Sequence, residues 1–276
     1  MLKCGLDEGL SFPKARGNAL NATNNTVFEP NDILGVEYLK ALKLLGSSVQ
    51  PFATRRNDTH DHSAEFNGDR ASASAIRAVL AGRGVHDAPR ITRVMPHDAA
   101  QILFDEIGNG RHNFADRYSG ILHYALASMS IEQLREIADM NEGLENRILA
   151  AAKSVGTFTE TAKAVKTKRY TLSRIYRVLL RIILNIRQSE LDYYAATGFS
   201  RYARVLGFRK ASADLLGSLC DNAKIPMITN VKKAADTMDN PSRAMLEKEL
   251  QATEVYNAPL YAAAIGPELS EPLVMV

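Results

Sequence analysis

Between Thr161 and Ser189 the chain carries eight basic residues, Lys163, Lys166, Lys168, Arg169, Arg174, Arg177, Arg181 and Arg187, and no acid. The whole chain nets +3 and this segment +8, so the remainder nets −5. Charge concentrated in one stretch of an otherwise mildly acidic chain points to a polyanion contact, with nucleic acid the first candidate. Arg174, Arg177 and Arg181 recur at spacings of three and four, which places them on one stripe of a helix, opposite Leu172, Ile175, Leu179, Ile183 and Ile186. Arginine suits phosphate because its planar fork bonds two oxygens at once, and Tyr170 and Tyr176 offer rings on which exposed bases could stack. The competing reading is the solvated face of an ordinary amphipathic helix. The acid-free run across the adjoining loop favours RNA or phosphate.

Two further groupings could meet an anion. Arg55 to His62 (Arg-Arg-Asn-Asp-Thr-His-Asp-His) gathers cations, carboxylates and imidazoles at the expected end of a strand, where ligands of open α/β sheets bind. A solvated loop explains the same letters. A metal held by His60, Asp61 and His62 is disfavoured, because neighbours at i and i+2 rarely converge without further ligands. Ala71-Ser-Ala-Ser-Ala-Ile-Arg77 opens a helix with small hydroxyl residues, leaving backbone N–H groups accessible to an anion and Arg77 a turn further on. A capped surface helix is the plain alternative. The chain has no G-x-x-x-x-G-K-[ST], G-x-G-x-x-G, H-x-G-H, H-E-x-x-H or G-x-S-x-G, and its carboxylates form no evident acid/base pair.

The elements that must position these groups follow from periodicity. Ser11 to Asn21, Asn31 to Leu45 and Ser72 to Leu80 read as helices, the second capped by Asn31 or Asp32 and ended by Gly46. Ser47 to Arg56 reads as a strand. From Pro96 helices dominate: Asp98 to Ile107, Phe114 to Ser128, Ile131 to Asn141 with a Ser130/Gln133 capping box, Leu144 to Ser154, Thr157 to Val165 and Tyr170 to Arg187. Tyr202 to Phe208 and Ile225 to Val231 read as strands around a helix, Ala211 to Ala223, which makes a small βαβ-like unit, and Ser242 to Val255 as a last helix. The fold class is therefore α/β, one part of an open sheet, followed by a mainly α-helical domain.

Composition agrees. With 276 residues, 46% hydrophobic and 24% charged, the chain has room for two globular domains and is neither collagenous nor wholly disordered. No run approaches the roughly 18 to 20 apolar residues of a membrane span, and no secretory signal is legible, so the expectation is a cytoplasmic protein. Cys4 and Cys220 sit in no paired spacing and are expected to be inert packing residues.

Seven segments in this order carry a family resemblance: Leu10-Ser-Phe-Pro-Lys-Ala-Arg16, Pro30-Asn-Asp-Ile-Leu-Gly-Val-Glu-Tyr-Leu-Lys40, Arg55-Arg56 followed by His60-Asp61, Ala71-Ser-Ala-Ser-Ala-Ile-Arg77, Glu142-Gly-Leu-Glu-Asn-Arg147, Lys166-Thr-Lys-Arg-Tyr-Thr171 and Arg204-Val-Leu-Gly-Phe208. Together they resemble the bacterial tRNA(Met) cytidine acetate ligases, over nearly the whole chain. The resemblance implies a partial Rossmann-like nucleotidyltransferase domain over residues 1–95 and a mainly helical tRNA-binding domain over 96–276. It implies an enzyme that activates acetate with ATP, accompanied by Mg2+, as acetyl-adenylate. The acetyl group then goes to N4 of the wobble cytidine of elongator tRNA(Met). By the same resemblance Asn31, Arg55, Arg56, Ser72, Ser74 and Arg77 are expected at ATP, and Lys166, Lys168 and Arg169 at tRNA, joined there by the Arg174, Arg177 and Arg181 stripe.

Two features depart from the family pattern. Family members begin with a strand, an H-x-G-H loop and a helix, whereas Met1 here stands past that point, and Thr59 stands where a Tyr is usual before His-Asp. The expectation is a chain that keeps tRNA affinity and has weak or no ligase activity by itself. A non-catalytic RNA-binding remnant and a nucleotidyltransferase acting on another small substrate stay open as alternatives.

Overall fold

The computed structural model describes residues 2–8, 15–19, 22, 30–54, 66, 69–83, 88–141, 143–167, 170–260, 267–270 and 272–276. Contacts divide the chain into two units, Met1–Asn109 with Lys166–Ile175, and Gly110–Val165 with Tyr176–Val276. The expected boundary between residues 95 and 96 falls inside the first of them.

Among its described residues the first unit is built from helices: Leu2–Asp7, Pro30–Leu44, Ala73–Arg83, Ala88–Arg93 and His97–Gly108. Pro30 can open its helix because the first N–H of a helix has no intrahelical partner to lose. Gly46, at φ +58, ends it in a left-handed turn in which Ser47 N–H donates to the Leu42 carbonyl at 3.0 Å. Ala15, Ala75, Ile91 and Ala100 are fully buried here. The strand expected over Ser47 to Arg56 is not found where the chain is described: residues 47–54 carry no ladder, and Phe52 is 91% exposed. A strand exists only through a paired neighbour, which Val49 and Phe52 cannot supply by propensity. The Ala73–Arg83 helix also runs past its expected end at Leu80, through Gly82.

The second unit starts with a single 3-10 turn, Ala115–Tyr118, and the helices Ser119–Ser128, Ile131–Glu136, Leu144–Ser154 and Phe158–Val165. Ser130 and Gln133 form the expected capping box, with Gln133 N–H donating to Ser130 Oγ at 3.3 Å and Ser130 N–H to Gln133 Oε1 at 2.8 Å. The helix it opens stops at Glu136, not at Asn141. Ile137 turns extended and bridges to Arg187, Ala138 N–H donates to the Ile186 carbonyl at 3.0 Å, and Asp139 takes a left-handed φ of +64. These non-local bonds outcompete the next helical turn.

The long basic helix, Leu172–Leu184, buries Ile175, Val178, Leu179 and Ile182 completely. Of the apolar stripe expected from periodicity, Ile175 and Leu179 are among these, whereas Leu172, Ile183 and Ile186 are only partly buried and Val178 and Ile182 fill the buried face instead. Leu122, Leu134, Ile137, Leu144, Ile148, Phe158, Val165 and Leu246 are further large side chains fully buried in this unit, each worth roughly 1.5–3 kcal/mol of burial. A helix absent from the periodicity reading, Gln188–Thr197, follows.

Late in the chain the period does change. Ala203–Arg204 pairs in parallel with Met227–Ile228, and the connection between them contains the helix Ala213–Asn222, which is the expected βαβ unit. The single strand expected from Tyr202 to Phe208 is two: Gly207–Phe208 leaves that sheet and pairs with Val274–Met275. Gly207 is required there, because a Cβ would stand 2.7 Å from the Val274 carbonyl oxygen. Helices Val231–Thr237 and Asn240–Asn257 complete the unit with the short Pro267–Ser270. Cys4 and Cys220 are both free and exposed, so neither packs as expected. Among the described residues no helix is long and apolar enough to cross a membrane.

Candidate nucleotide and nucleic-acid sites

Ser72 is buried, and its Oγ accepts from Ala75 N–H at 3.0 Å while its carbonyl accepts from Ile76 N–H. It is the cap of the Ala73–Arg83 helix, satisfying one of the four N–H groups that helix geometry orphans. Ser74 and Arg77 stand one turn apart on that helix, with Arg77 Nη2 donating to Ser74 Oγ at 3.4 Å and the Arg77 side chain exposed. The residue types that mark an anion-accepting helix start are thus arranged as a capped helix with an exposed guanidinium a turn inside. Asn31 is the second residue of the Pro30–Leu44 helix. Arg55, Arg56, His60, Asp61 and His62 lie outside the described residues, and the strand expected to present them is not seen at 47–54.

The basic segment is less uniform than its letters. Lys166 is exposed, and Lys168 and Arg169 lie outside the described residues. Tyr170 is buried, its N–H held by Thr167 Oγ1 at 3.1 Å, and the Arg174 guanidinium stands 4.8 Å from the centre of its ring. Tyr176 packs edge-on against Phe158 at 5.3 Å and donates its hydroxyl to Thr159 Oγ1. It also lines an apolar cavity of about 340 Å³ with Tyr118, Phe158, Leu180, Ile183 and Tyr256. The two rings expected to stack on exposed bases are therefore committed to packing. Arg177 and Arg181 both reach one acid, Asp139, and Arg187 pairs with Glu136 at 2.8 Å.

Periodicity also missed acids that matter. Glu145 is buried at the start of the Leu144–Ser154 helix, taking Arg135 Nε at 3.0 Å and Asn146 Nδ2 at 3.2 Å. Arg147 Nη2 reaches the Val165 carbonyl at 3.4 Å, so Glu145 and Arg147 of the Glu142 to Arg147 motif fasten helices. Nothing in local spacing pairs residue 139 with residues 177 and 181. The only hint was that so many cations in one segment need counter-charge. Farther along, Arg204 bonds Glu249 and Glu268 at 2.7 Å each, and Tyr202 donates to Glu249 at 2.7 Å. Burial first, and then the Glu249 contact, raises the Tyr202 phenol. That group is a structural clamp on the Ala203–Arg204 strand.

Comparison with known proteins supplies the family. The family model HIGH Nucleotidyl Transferase matches residues 1–266. The tRNA(Met) cytidine acetate ligase of Acetivibrio thermocellus is 33% identical over 264 residues, covering 92% of this chain and 64% of that protein. The enzyme of the same name from Thermoanaerobacter pseudethanolicus is 34% identical over 281 residues, covering 99% of this chain and 68% of the relative. Thermotoga maritima TmcAL in its apo crystal form I superposes with a TM-score of 0.85 at 25% identity, over 100% of this chain and 69% of the other. Its crystal structure bound with alpha-thio ATP matches at a TM-score of 0.84 and 24% identity, a likeness of fold. The chain spans 64% of the length of the Acetivibrio relative. The fold class is thus nucleotidyltransferase-like, passing into helices with a small parallel βαβ unit. By the extent of the family match and by identity above 30% over nearly all its length, the chain belongs to the HIGH nucleotidyl transferases and, among them, to the tRNA(Met) cytidine acetate ligase family.

Proposed function

We propose that this chain serves the ATP-dependent ligation of acetate to N4 of the wobble cytidine of elongator tRNA(Met), in the cytoplasm. The observation that carries the reading is the alignment of relatives named for that activity over 92% and 99% of the chain. In the first step an acetate oxygen attacks the α-phosphorus of ATP and pyrophosphate leaves. In the second, the cytidine N4 attacks the acetyl carbon, AMP leaves with the carboxyl oxygen, and N4 gives up one proton. Both steps are governed by positioning and by stabilising negative charge on phosphate, for which guanidinium and ammonium groups suffice.

On this reading residues 1–95 hold ATP with its Mg2+, through Asn31, Arg55, Arg56, Ser72, Ser74 and Arg77. Residues 96–276 receive the tRNA, with Lys166, Lys168, Arg169, Arg174, Arg177 and Arg181 as the cationic contacts. Exposed Lys166 and exposed Arg77 fit those roles best. The anticodon loop is single-stranded, so its bases can be splayed and reached from their pairing edge.

The test is incubation of the chain with labelled acetate, ATP and elongator tRNA(Met), with digestion and detection of N4-acetylcytidine. Product dependent on all three supports the reading. Tight tRNA binding without product under saturating ATP would leave an RNA-binding protein in its place.

A further inference from the structure

The three arginines of the basic stripe are not equivalent, and Asp139 is the reason. Arg177 Nε and Arg181 Nη1 meet the same carboxylate oxygen, Asp139 Oδ2, the former at 3.3 Å. Their exposures differ: the Arg181 side chain is 17% exposed, Asp139 36% and Arg177 55%. Asp139 is itself held in place. It sits at φ +64, its N–H donates to Gln188 Oε1 at 3.1 Å, and the two residues before it bond to Ile186 and Arg187. Asparagine and aspartate tolerate that left-handed conformation better than other side chains, so the position suits an acid. Arg187, next along, is neutralised by Glu136. Among these five described residues, Arg177, Arg181 and Arg187 against Asp139 and Glu136 leave one positive charge.

We propose that Asp139 and Arg181 form a closed, charge-neutral pair that positions Arg177, so that Arg177 alone of these two arginines offers net charge and a two-pronged fork to an RNA phosphate. The inference rests on the tRNA-binding reading and assigns a polyanion contact to Arg177 and a positioning role to Asp139. The chemistry follows from which nitrogens are used. Asp139 takes Arg177 by Nε, and among the described residues no hydrogen bond or ion pair engages its two Nη groups. Those are the groups that grip a phosphate bidentately. The largely buried Arg181 is spent on Asp139, which withdraws it from the cationic contacts to tRNA and leaves Arg177 in that role.

The experiment is the salt dependence of elongator tRNA(Met) affinity, by fluorescence anisotropy, for the full chain and five variants. Each phosphate neutralised contributes a slope of about 0.7 to 0.9 in log affinity against log salt. R177Q is expected to lower the slope by about that amount. R181Q is expected to lower it equally, because Asp139 then neutralises Arg177. D139N/R181Q is expected to restore the wild-type slope, whereas D139N/R177Q stays at the R177Q value. A merely structural Asp139 would not produce that charge-silent rescue. An R177Q slope equal to wild type, or an R181Q defect that D139N leaves in place, overturns the proposal. If R181Q does not fold by circular dichroism, D139N and D139N/R177Q decide: D139N is expected to keep the wild-type slope and D139N/R177Q the R177Q slope. A D139N slope steeper by one increment, or a D139N/R177Q slope back at wild type, would show that Arg181 is as available as Arg177 and overturns the proposal. Equal affinity for an unrelated tRNA would sink the tRNA(Met) reading while leaving the partition of charge standing, and no affinity for any tRNA would sink both.

Discussion

Glu145 and Arg135, ten residues apart, join two helices through an ion pair that is wet on one side only: the glutamate side chain is 6% exposed and the arginine 57%. The pair itself is worth little, because the guanidinium is screened by water. Its removal is another matter. R135A would leave a buried carboxylate with Asn146 as its remaining side-chain donor, at a cost of about 1–3 kcal/mol. Adding E145Q to that variant should recover most of the loss in urea unfolding. A double variant no more stable than R135A would show that the carboxylate is not what suffers.

Acid should act through the Asn240–Asn257 helix. Asp239 caps it, accepting from Ser242 N–H at 2.8 Å and receiving Arg201 at 2.8 Å. Bonds from the Ser242 side chain and backbone, then the charge of Arg201, hold this carboxyl below its ordinary value. A lowered folded value means that its stabilising effect is fully present above the ordinary aspartate range near 3.9, and fades as pH falls through the lower folded value. Melting curves of wild type and D239N should therefore differ at pH 7 and converge on acidification below about pH 4. A gap that stays constant would place the effect of Asp239 in packing, not in charge.

Alkali should act through Tyr118. Burial above all, then repulsion from Tyr256, pushes its phenol up to about 12, against the donated bond from Asn113. Its hydroxyl donates to the Tyr256 carbonyl at 3.1 Å. Since the folded value is raised, this contribution is intact below the ordinary 10.0 and is lost as pH climbs from there towards 12. In ultraviolet titration Y118F should remove one late-ionising phenol, and it should cost about 1 kcal/mol at neutral pH for the lost bond. An unchanged late phase in Y118F would count against this assignment.

The nucleotide reading has its own probe in Arg77. R77A removes an exposed side chain whose one described partner is Ser74, so melting should be unaffected. Loss of a charge-assisted contact to phosphate should weaken ATP binding by about tenfold in calorimetry. Full ATP affinity in R77A would remove this helix start from the site.

What could be read along the chain was whatever depends on neighbours in sequence. The helix at Pro30–Leu44, the capping box of Ser130 and Gln133, the buried Ile175 and Leu179 of the apolar stripe and the βαβ unit all follow from periodicity and local chemistry, because side chains three and four apart share a helix face whatever lies beyond. The family was legible too, since its motifs are short runs. The tertiary structure alone decided which cations remain available. The segment from 161 to 189 has no acid of its own, yet Asp139 and Glu136 come to Arg177, Arg181 and Arg187 from about 40 to 50 residues away. Coulomb interaction depends on distance through space, which sequence spacing does not encode. The end of the Ile131–Glu136 helix and the packing of Tyr176 against Phe158 have the same origin: each was settled by a partner distant in the chain.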